Sequence, residues 1–176
     1  LDATHDPAVR LPSGGYIVIN PTEALVAIDV NSGQATRERD IEITATKTNI
    51  EAAREVARQL RLRDLAGLVV IDFIDMDESK NQLSVERTLK EALKNDRARI
   101  QVGRISPFGL LERSRQRLRP SIMEIGGEPC IHCNGAGIMR TAESIALQVL
   151  RAIEGEGIQG GAKELHVNVP TSVALF

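Results

Sequence analysis

Apolar and polar positions divide the chain into short strand-length runs separated by stretches of helical period. Residues 1–10 are polar and carry no clear pattern. A turn at Pro12-Ser13-Gly14-Gly15 precedes a short apolar run, Tyr16 to Ile19, and Asn20-Pro21 makes the next turn. Ala24 to Val30 is a second apolar run, and the two together predict a hairpin with a longer loop. Residues 31–47 are polar and predict a loop, with Gly33 and the charged run Arg37 to Asp40. Thr48 and Glu51 then have the spacing of a capping box. Ile50, Ala53, Val56, Ala57 and Leu60 fall on one helical face, with Glu51, Arg54, Glu55 and Arg58 on the other. Gly67 is expected to end this helix.

Gly67 to Ile74 is almost continuously apolar, broken only by Asp72, which predicts a strand buried on both faces. Ser79 with Gln82 resembles a second capping box, followed by Val85, Leu89 and Leu93 at helical spacing. Ile100 to Ile105 reads as a further strand. The order predicts an α/β fold: a mixed sheet with flanking helices over residues 11–120. Pro120 and Gly126-Gly127 mark a boundary, and residues 121–140 hold a compact Gly-rich knuckle. Residues 141–176 predict a small α/β segment. In it Thr141 caps a helix, Gly155 to Gly161 make a flexible connection, and Leu165, Val167 and Val169 form a half-buried strand. The apolar end Val173 to Phe176 has no terminator, so the natural polypeptide is expected to continue.

Composition narrows the function classes. Among 176 residues, 42% hydrophobic and 26% charged is the balance of a folded domain, not of a disordered chain. No apolar stretch is long enough for a membrane span, and no secretory signal is expected. A net charge of -2 excludes a globally basic nucleic-acid binder but allows a local basic patch. Aromatics are 2% (Tyr16, Phe73, Phe108 and Phe176), which argues against base-stacking platforms within this chain.

Candidate chemistry lies in three places. Asp29 ends the run from Leu25, and Asp72 interrupts the run from Val69. Carboxylates in apolar settings are costly unless paired or holding a cation. Asn31, two residues after Asp29, projects on the same face of an extended strand. If the two strands are neighbours, Asp29, Asn31 and Asp72 converge as an oxygen-rich set that suits Mg²⁺. The alternative is that the two carboxylates cap loops or pair with arginines; Asp75, Asp77 and Glu78 read as cap and loop residues. The three histidines show no triad spacing, so hydrolysis of a phosphodiester would rely on metal-activated water.

The second place is an arginine-rich segment: Arg97, Arg99, Arg104, Arg113, Arg115, Arg117 and Arg119, offset by Glu112 alone. Guanidinium forks suit phosphate oxygens, which makes a nucleic-acid backbone a sensible partner; a solvated helix or salt bridges are the alternative. The third is Cys130-Ile131-His132-Cys133-Asn134-Gly135-Ala136-Gly137. Cys-x-x-Cys supplies two thiolates of a tetrahedral Zn²⁺ site, half of the four required. His132, His166 or a second chain would complete it, and a second copy of the pair would give a two-fold Cys₄ site. A redox dithiol is the alternative, but that motif normally opens a helix and here a Gly-rich turn follows. The same string also occurs, repeated, in DnaJ-type zinc modules.

From about Leu11 to the C-terminus the chain resembles the RNase E/G family of bacterial endoribonucleases. The strings that carry the resemblance are Leu11 to Gly15, Ala27 to Gly33, Arg58 to Asp64, Val70 to Met76, Phe108 to Glu112 and the cysteine motif, and the form is more like the E branch than the G branch. The resemblance implies a DNase I-like subdomain that cleaves single-stranded RNA, leaving a 5′-phosphate and a 3′-hydroxyl, in mRNA decay and in rRNA and tRNA processing. It implies Mg²⁺ held by Asp29 and Asp72, with Asn31 orienting the site. It implies Zn²⁺ shared between protomers through Cys130 and Cys133, and a homotetramer built as a dimer of dimers. RNA contact falls to Arg99, Arg113 and Arg117, with Arg99 supporting recognition of the RNA 5′-monophosphate. A cytoplasmic location is implied, with attachment to the inner membrane and to RNA-degradation partners through regions outside this chain. Two departures stand out: Ile131 replaces the family's usual proline, and the OB-type RNA clamp and 5′-sensor that precede this region in the family are not among these residues. The alternative reading is a zinc-linked dimerisation fragment without catalysis.

Overall fold

The computed structural model describes residues 4–33, 38–133, 135–159 and 164–175. The chain forms two compact units, Leu1–Gly127 and Glu128–Phe176. In the first unit, β1 (Ala8–Arg10), β2 (Tyr16–Pro21) and β3 (Leu25–Asn31) are followed by α1 (Glu38–Leu62), β4 (Gly67–Asp72), α2 (Ser79–Leu93), β5 (Ile100–Ile105), β6 (Leu110–Arg115) and the short α3 (Ile122–Gly126). The strands form one six-stranded sheet in the order β1-β2-β3-β4-β6-β5. Only β3 and β4 pair in parallel, and α1 supplies the long crossover that a parallel pair requires; the other neighbours are antiparallel. The expected α/β mixed sheet with flanking helices is therefore the fold.

Alternation along the strands explains why the layers sit as they do. Ile17, Ile19, Val26, Ile28, Val30, Val69, Ile71 and Leu111 share one face and are buried. They pack with the apolar stripes Ala52, Ala53, Val56, Ala57 and Leu60 of α1 and Val85, Leu89 and Leu93 of α2 in a single core. Each such aliphatic side chain contributes roughly 1.5–3 kcal/mol on burial, enough to fix which face of the sheet is covered. The opposite face carries Tyr16, Asp29, Leu68, Asp72, Glu112 and Ser114, all exposed. The run from Gly67 is thus buried on one face only, not on both as its composition predicts.

Other expectations are corrected. The stretch expected to be a loop up to residue 47 is helical from Glu38, so Arg37 lies outside the described residues and Thr48 is a buried mid-helix residue, not a cap. Tertiary anchors replace local signals there. Glu42 accepts the backbone N–H groups of Asp77 and Glu78 and the Asn81 amide, while Glu51 accepts the N–H of Ser13. The helix stops at Leu62, where Asp64 turns the chain at φ 49° and Leu65 N–H bonds back to Leu60. Glu78 occupies the position before α2, and Gln82 caps nothing; its amide bonds the Met76 carbonyl. β1 and β6 are absent from the sequence reading: β1 is three polar-flanked residues, and the arginines of β6 mask its alternation.

The second unit holds α4 (Ala142–Gln159) and α5 (Thr171–Ala174). Thr141 caps α4 as expected, its Oγ1 accepting the Ser144 N–H at 3.3 Å. α4 runs through Gly155 and Gly157, so no flexible connection starts there; Gly160 and Gly161 lie outside the described residues. The expected strand around Val167 does not form among the described residues: residues 164–170 take no regular structure.

Candidate metal and nucleic-acid site

Asp29 and Asp72 are register partners at the ends of β3 and β4. Parallel pairing places both carboxylates on the open face of the sheet, side by side at its C-terminal edge. Asn31, on the same face, donates from Nδ2 to Asp29 Oδ2 at 2.7 Å. That bond fixes the Asp29 rotamer and leaves the amide oxygen free to accept or ligate. Asp72 holds its proton above the usual carboxylate range, first because part of its water is displaced, then because Asp29 and Asp75 repel a further negative charge. A hard cation relieves that repulsion, and the donors are all oxygen, so the residues fit Mg²⁺. The site is open and solvent-facing, as a ligand of nucleic-acid size requires.

Three features that sequence reasoning missed hold this arrangement. Asn49, fully buried in α1, donates to the Ile74 carbonyl at 2.8 Å and accepts the Ile74 N–H at 3.0 Å. It thereby pins the backbone between Asp72 and Asp75. The only sequence signal was an amide on an otherwise apolar helical stripe. Gly15 packs so closely that a Cβ there would lie 2.6 Å from the Asn31 carbonyl oxygen, so the Ser-Gly-Gly turn backs the Asn31 segment directly. Gly109, at φ +77°, brings the β5–β6 turn against Asp75: a Cβ would lie 3.1 Å from its Oδ1.

The arginines do not form one patch. Arg113 faces the core, 2% exposed, between Val69 of β4 and Val102 of β5. Its Nε and both terminal nitrogens have no hydrogen-bond partner. This corrects its assignment as an RNA contact: a side chain sealed beneath the helices does not reach a phosphate. Burial, then the charge of Arg115, pushes its pKa down to about 10 despite the opposing pull of Asp96. Arg115 is also buried and is tied to Asp96 at 2.8 Å. Arg99 is exposed and lines an open groove of about 650 Å³ with Gln101, Ser114 and Gln116. It stands at the end of β5 and β6 opposite the carboxylate pair, about 17 Å away by strand rise. Arg117 is exposed at that same end and is engaged by Glu124 at 2.9 and 3.0 Å.

In the second unit Cys130 is exposed and Cys133 half-buried, both as free thiols. The Cys130 thiol is pushed down by backbone N–H groups of Cys133 and His132, then by the Cys133 side chain. Amides aimed at sulfur and left-handed Gly135 and Gly137 make a tight turn, closed by Ala136 N–H to the Cys133 carbonyl at 2.9 Å. A thiolate-stabilising knuckle of this kind fits Zn²⁺. No helix starts at the motif, unlike a redox dithiol. His166 sits 3.4 Å from Glu164. Among the described residues no three His, Cys, Asp or Glu side chains converge on one point, so the carboxylate site and the cysteine site each offer two such ligands.

Comparison with known proteins agrees with this layout. Residues 1–118 match the Ribonuclease E/G family, and residues 129–176 match the RNase E/G, Thioredoxin-like domain. The whole chain is 54% identical to Ribonuclease E of Escherichia coli (strain K12), covering 17% of that protein. It is 53% identical to Ribonuclease E of Haemophilus influenzae, covering 19% of it. Ribonuclease G of Salmonella typhimurium is 40% identical over 145 residues, 82% of this chain and 30% of the relative. The chain therefore spans under a third of these relatives' length. With the family match running through the sheet that carries the paired aspartates, the chain belongs to the ribonuclease E/G family.

Proposed function

We propose that this segment is the catalytic core of a Mg²⁺-dependent endoribonuclease that cuts single-stranded RNA to leave a 5′-phosphate and a 3′-hydroxyl. The observation that carries the reading is the pairing of Asp29 with Asp72 on an open sheet face, with Asn31 bonded to Asp29. Asp29 and Asp72 hold the cation, and Asn31 keeps Asp29 in its ligating rotamer. Bound Mg²⁺ supplies charge stabilisation at the phosphate and lowers the pKa of water. Asp75 adds negative charge at the edge of the site and raises the demand for a cation. The RNA-contact assignment keeps Arg99 and Arg117, both exposed at the far end of the sheet, and drops Arg113. Such an enzyme would serve the processing and decay of cellular RNA, in the cytoplasm or beside the inner membrane; the names of the relatives, Ribonuclease E and Ribonuclease G, support the ribonuclease activity alone. The test is cleavage of a 5′-monophosphorylated RNA by the full-length protein. Asp29→Asn and Asp72→Asn are each expected to lose at least about 100-fold in rate, a loss typical of removing one electrostatic stabiliser. Wild-type rates in either variant would refute the metal assignment.

The second reading concerns assembly and is compatible with the first. The Cys130-Cys133 knuckle offers two ligands, and a second protomer's pair completes a Cys₄ zinc centre. Two such dimers would give the tetramer, and no catalysis need reside in the knuckle itself. Native mass measurement with metal analysis is expected to give one zinc per two chains. One zinc per monomer would overturn sharing.

A further inference from the structure

Tyr16 and Phe108 are the two exposed aromatic side chains among the described residues, at 41% and 83% exposure, whereas Phe73 is buried. Both stand at the same end of the sheet, one on each side of the carboxylate pair. Tyr16 is the register partner of Asn31, so its ring shares the open face with Asn31 and Asp29. Phe108 tops the β5–β6 turn, two residues before Leu110, the register partner of Asp72. Counting across β2, β3, β4 and β6, the two positions are about 14 Å apart, with the two aspartates between them.

Neither ring is placed by chance mobility. The Phe108 turn is closed by Gly109 N–H to the Ser106 carbonyl at 3.0 Å and by Ser106 N–H to the Leu110 carbonyl at 2.8 Å. Phe108 N–H itself bonds Ser106 Oγ at 3.3 Å, and Phe73 N–H bonds the Gly109 carbonyl at 3.4 Å. Tyr16 follows Gly15, whose close packing against the Asn31 carbonyl fixes the start of β2. A ring carried into water on a fixed backbone packs into no core. Beside a phosphodiester-cleaving site it meets the requirement of a base-stacking platform, which every nucleobase satisfies with its π-face.

We infer that Tyr16 and Phe108 stack on the nucleobases flanking the cleaved phosphate, one on each side, and so set the strand across Asp29 and Asp72. This reverses the expectation, drawn from the low aromatic content, that the chain carries no stacking platform; two rings suffice when both stand at the site. The inference rests on the endoribonuclease reading, and its test separates the two. Full-length protein carrying Asp29→Asn is mixed with single-stranded RNA bearing 2-aminopurine at a position flanking the cut. Stacking quenches the fluorescence on binding. Phe108→Ala or Tyr16→Ala is expected to abolish the quench at one flanking position each, and Phe108→Trp to retain it. In the Asp29 background kept wild type, each alanine variant is expected to lower kcat/KM by roughly 10–100-fold. An RNA abasic at the matching position is expected to show the same loss in the wild type and no further loss in the variant. Phe108→Leu, apolar but not aromatic, is expected to behave like alanine. Efficient cleavage with unaltered quenching in both alanine variants overturns the stacking inference alone. Ring-dependent quenching without any cleavage by the wild type overturns the endoribonuclease reading and the placement of the rings about a cleaved phosphate, and leaves only their stacking on single-stranded RNA.

Discussion

Replacing Arg113 with methionine is expected to stabilise the protein. The guanidinium is 2% exposed and none of its nitrogens has a partner. Its pKa is pushed down to about 10, well below the ordinary arginine value, so holding the charge costs the folded state on the order of a few kcal/mol at neutral pH. The sign follows from linkage. The folded state gives up this proton more readily than the unfolded state, so the charge costs stability in full below about pH 10, and the cost fades only between that value and the higher, ordinary arginine value. Methionine keeps an unbranched stem in the same slot between Val69 and Val102 and removes the charge. Part of the gain is offset by imperfect repacking, leaving an increase of about 1–3 kcal/mol. Urea unfolding at pH 7 and again well above pH 10 measures it, and thermal melting should rise by roughly 2–4 °C per kcal/mol. The advantage of R113M over wild type should shrink at the higher pH. A variant less stable than wild type at pH 7 would refute the reasoning, because it would mean that the buried guanidinium is well solvated or paired.

Asp96→Ala should do the opposite. It removes the closest partner of Arg115, whose side chain is 3% exposed, leaving the Leu65 carbonyl at 3.1 Å and Asp64 at 3.8 Å, and is expected to cost about 2–3 kcal/mol in urea unfolding. Burial alone would raise the Asp96 carboxyl, but the Arg115 hydrogen bonds and the Ala98 N–H outweigh it and hold it below the usual range. Wild-type stability from this pair is therefore full above the ordinary aspartate value and is lost as pH falls through the lowered one; the variant should lack that acid limb. Asn49→Ala leaves the Ile74 N–H and carbonyl unpaired, for an expected loss of about 2–3 kcal/mol and a raised Mg²⁺ requirement in RNA cleavage. Gly15→Ala drives a methyl into the Asn31 carbonyl and is expected to slow cleavage by about 10–100-fold by displacing Asn31, while far-ultraviolet circular dichroism stays native.

The parts of this fold legible in the sequence are those whose signal is local. The apolar runs of β2, β3, β4 and β5 are readable as strand-length runs rich in β-branched residues, and the stripe from Ile50 to Leu60 because burial on one face of a helix leaves a period. Asp29 and Asp72 were readable because each ends or interrupts such a run. What failed was held by tertiary partners. The first turns of α1 are polar and are anchored through Glu42 to the start of α2. β6 alternates Leu111, Arg113 and Arg115 inward with Glu112 and Ser114 outward, so neither face looks apolar. Charge predicts exposure at Arg113, which is buried. Asn49 acts on a backbone amide remote in sequence, a partner that no side-chain pattern reveals.

The parallel register of β3 and β4 has a consequence for when this molecule becomes chemically competent. Its two aspartates lie on strands separated by the 25-residue α1, and neither carries the site alone. A slip of one position in that pairing would turn the Asp72 row to the opposite face and scatter the pair. On the proposed reading, the geometry that cuts RNA is a property of the finished sheet and of nothing shorter. A partly folded or register-shifted chain is then expected to be silent instead of indiscriminate, and loss of the sheet on heating should extinguish RNA cleavage at the same temperature.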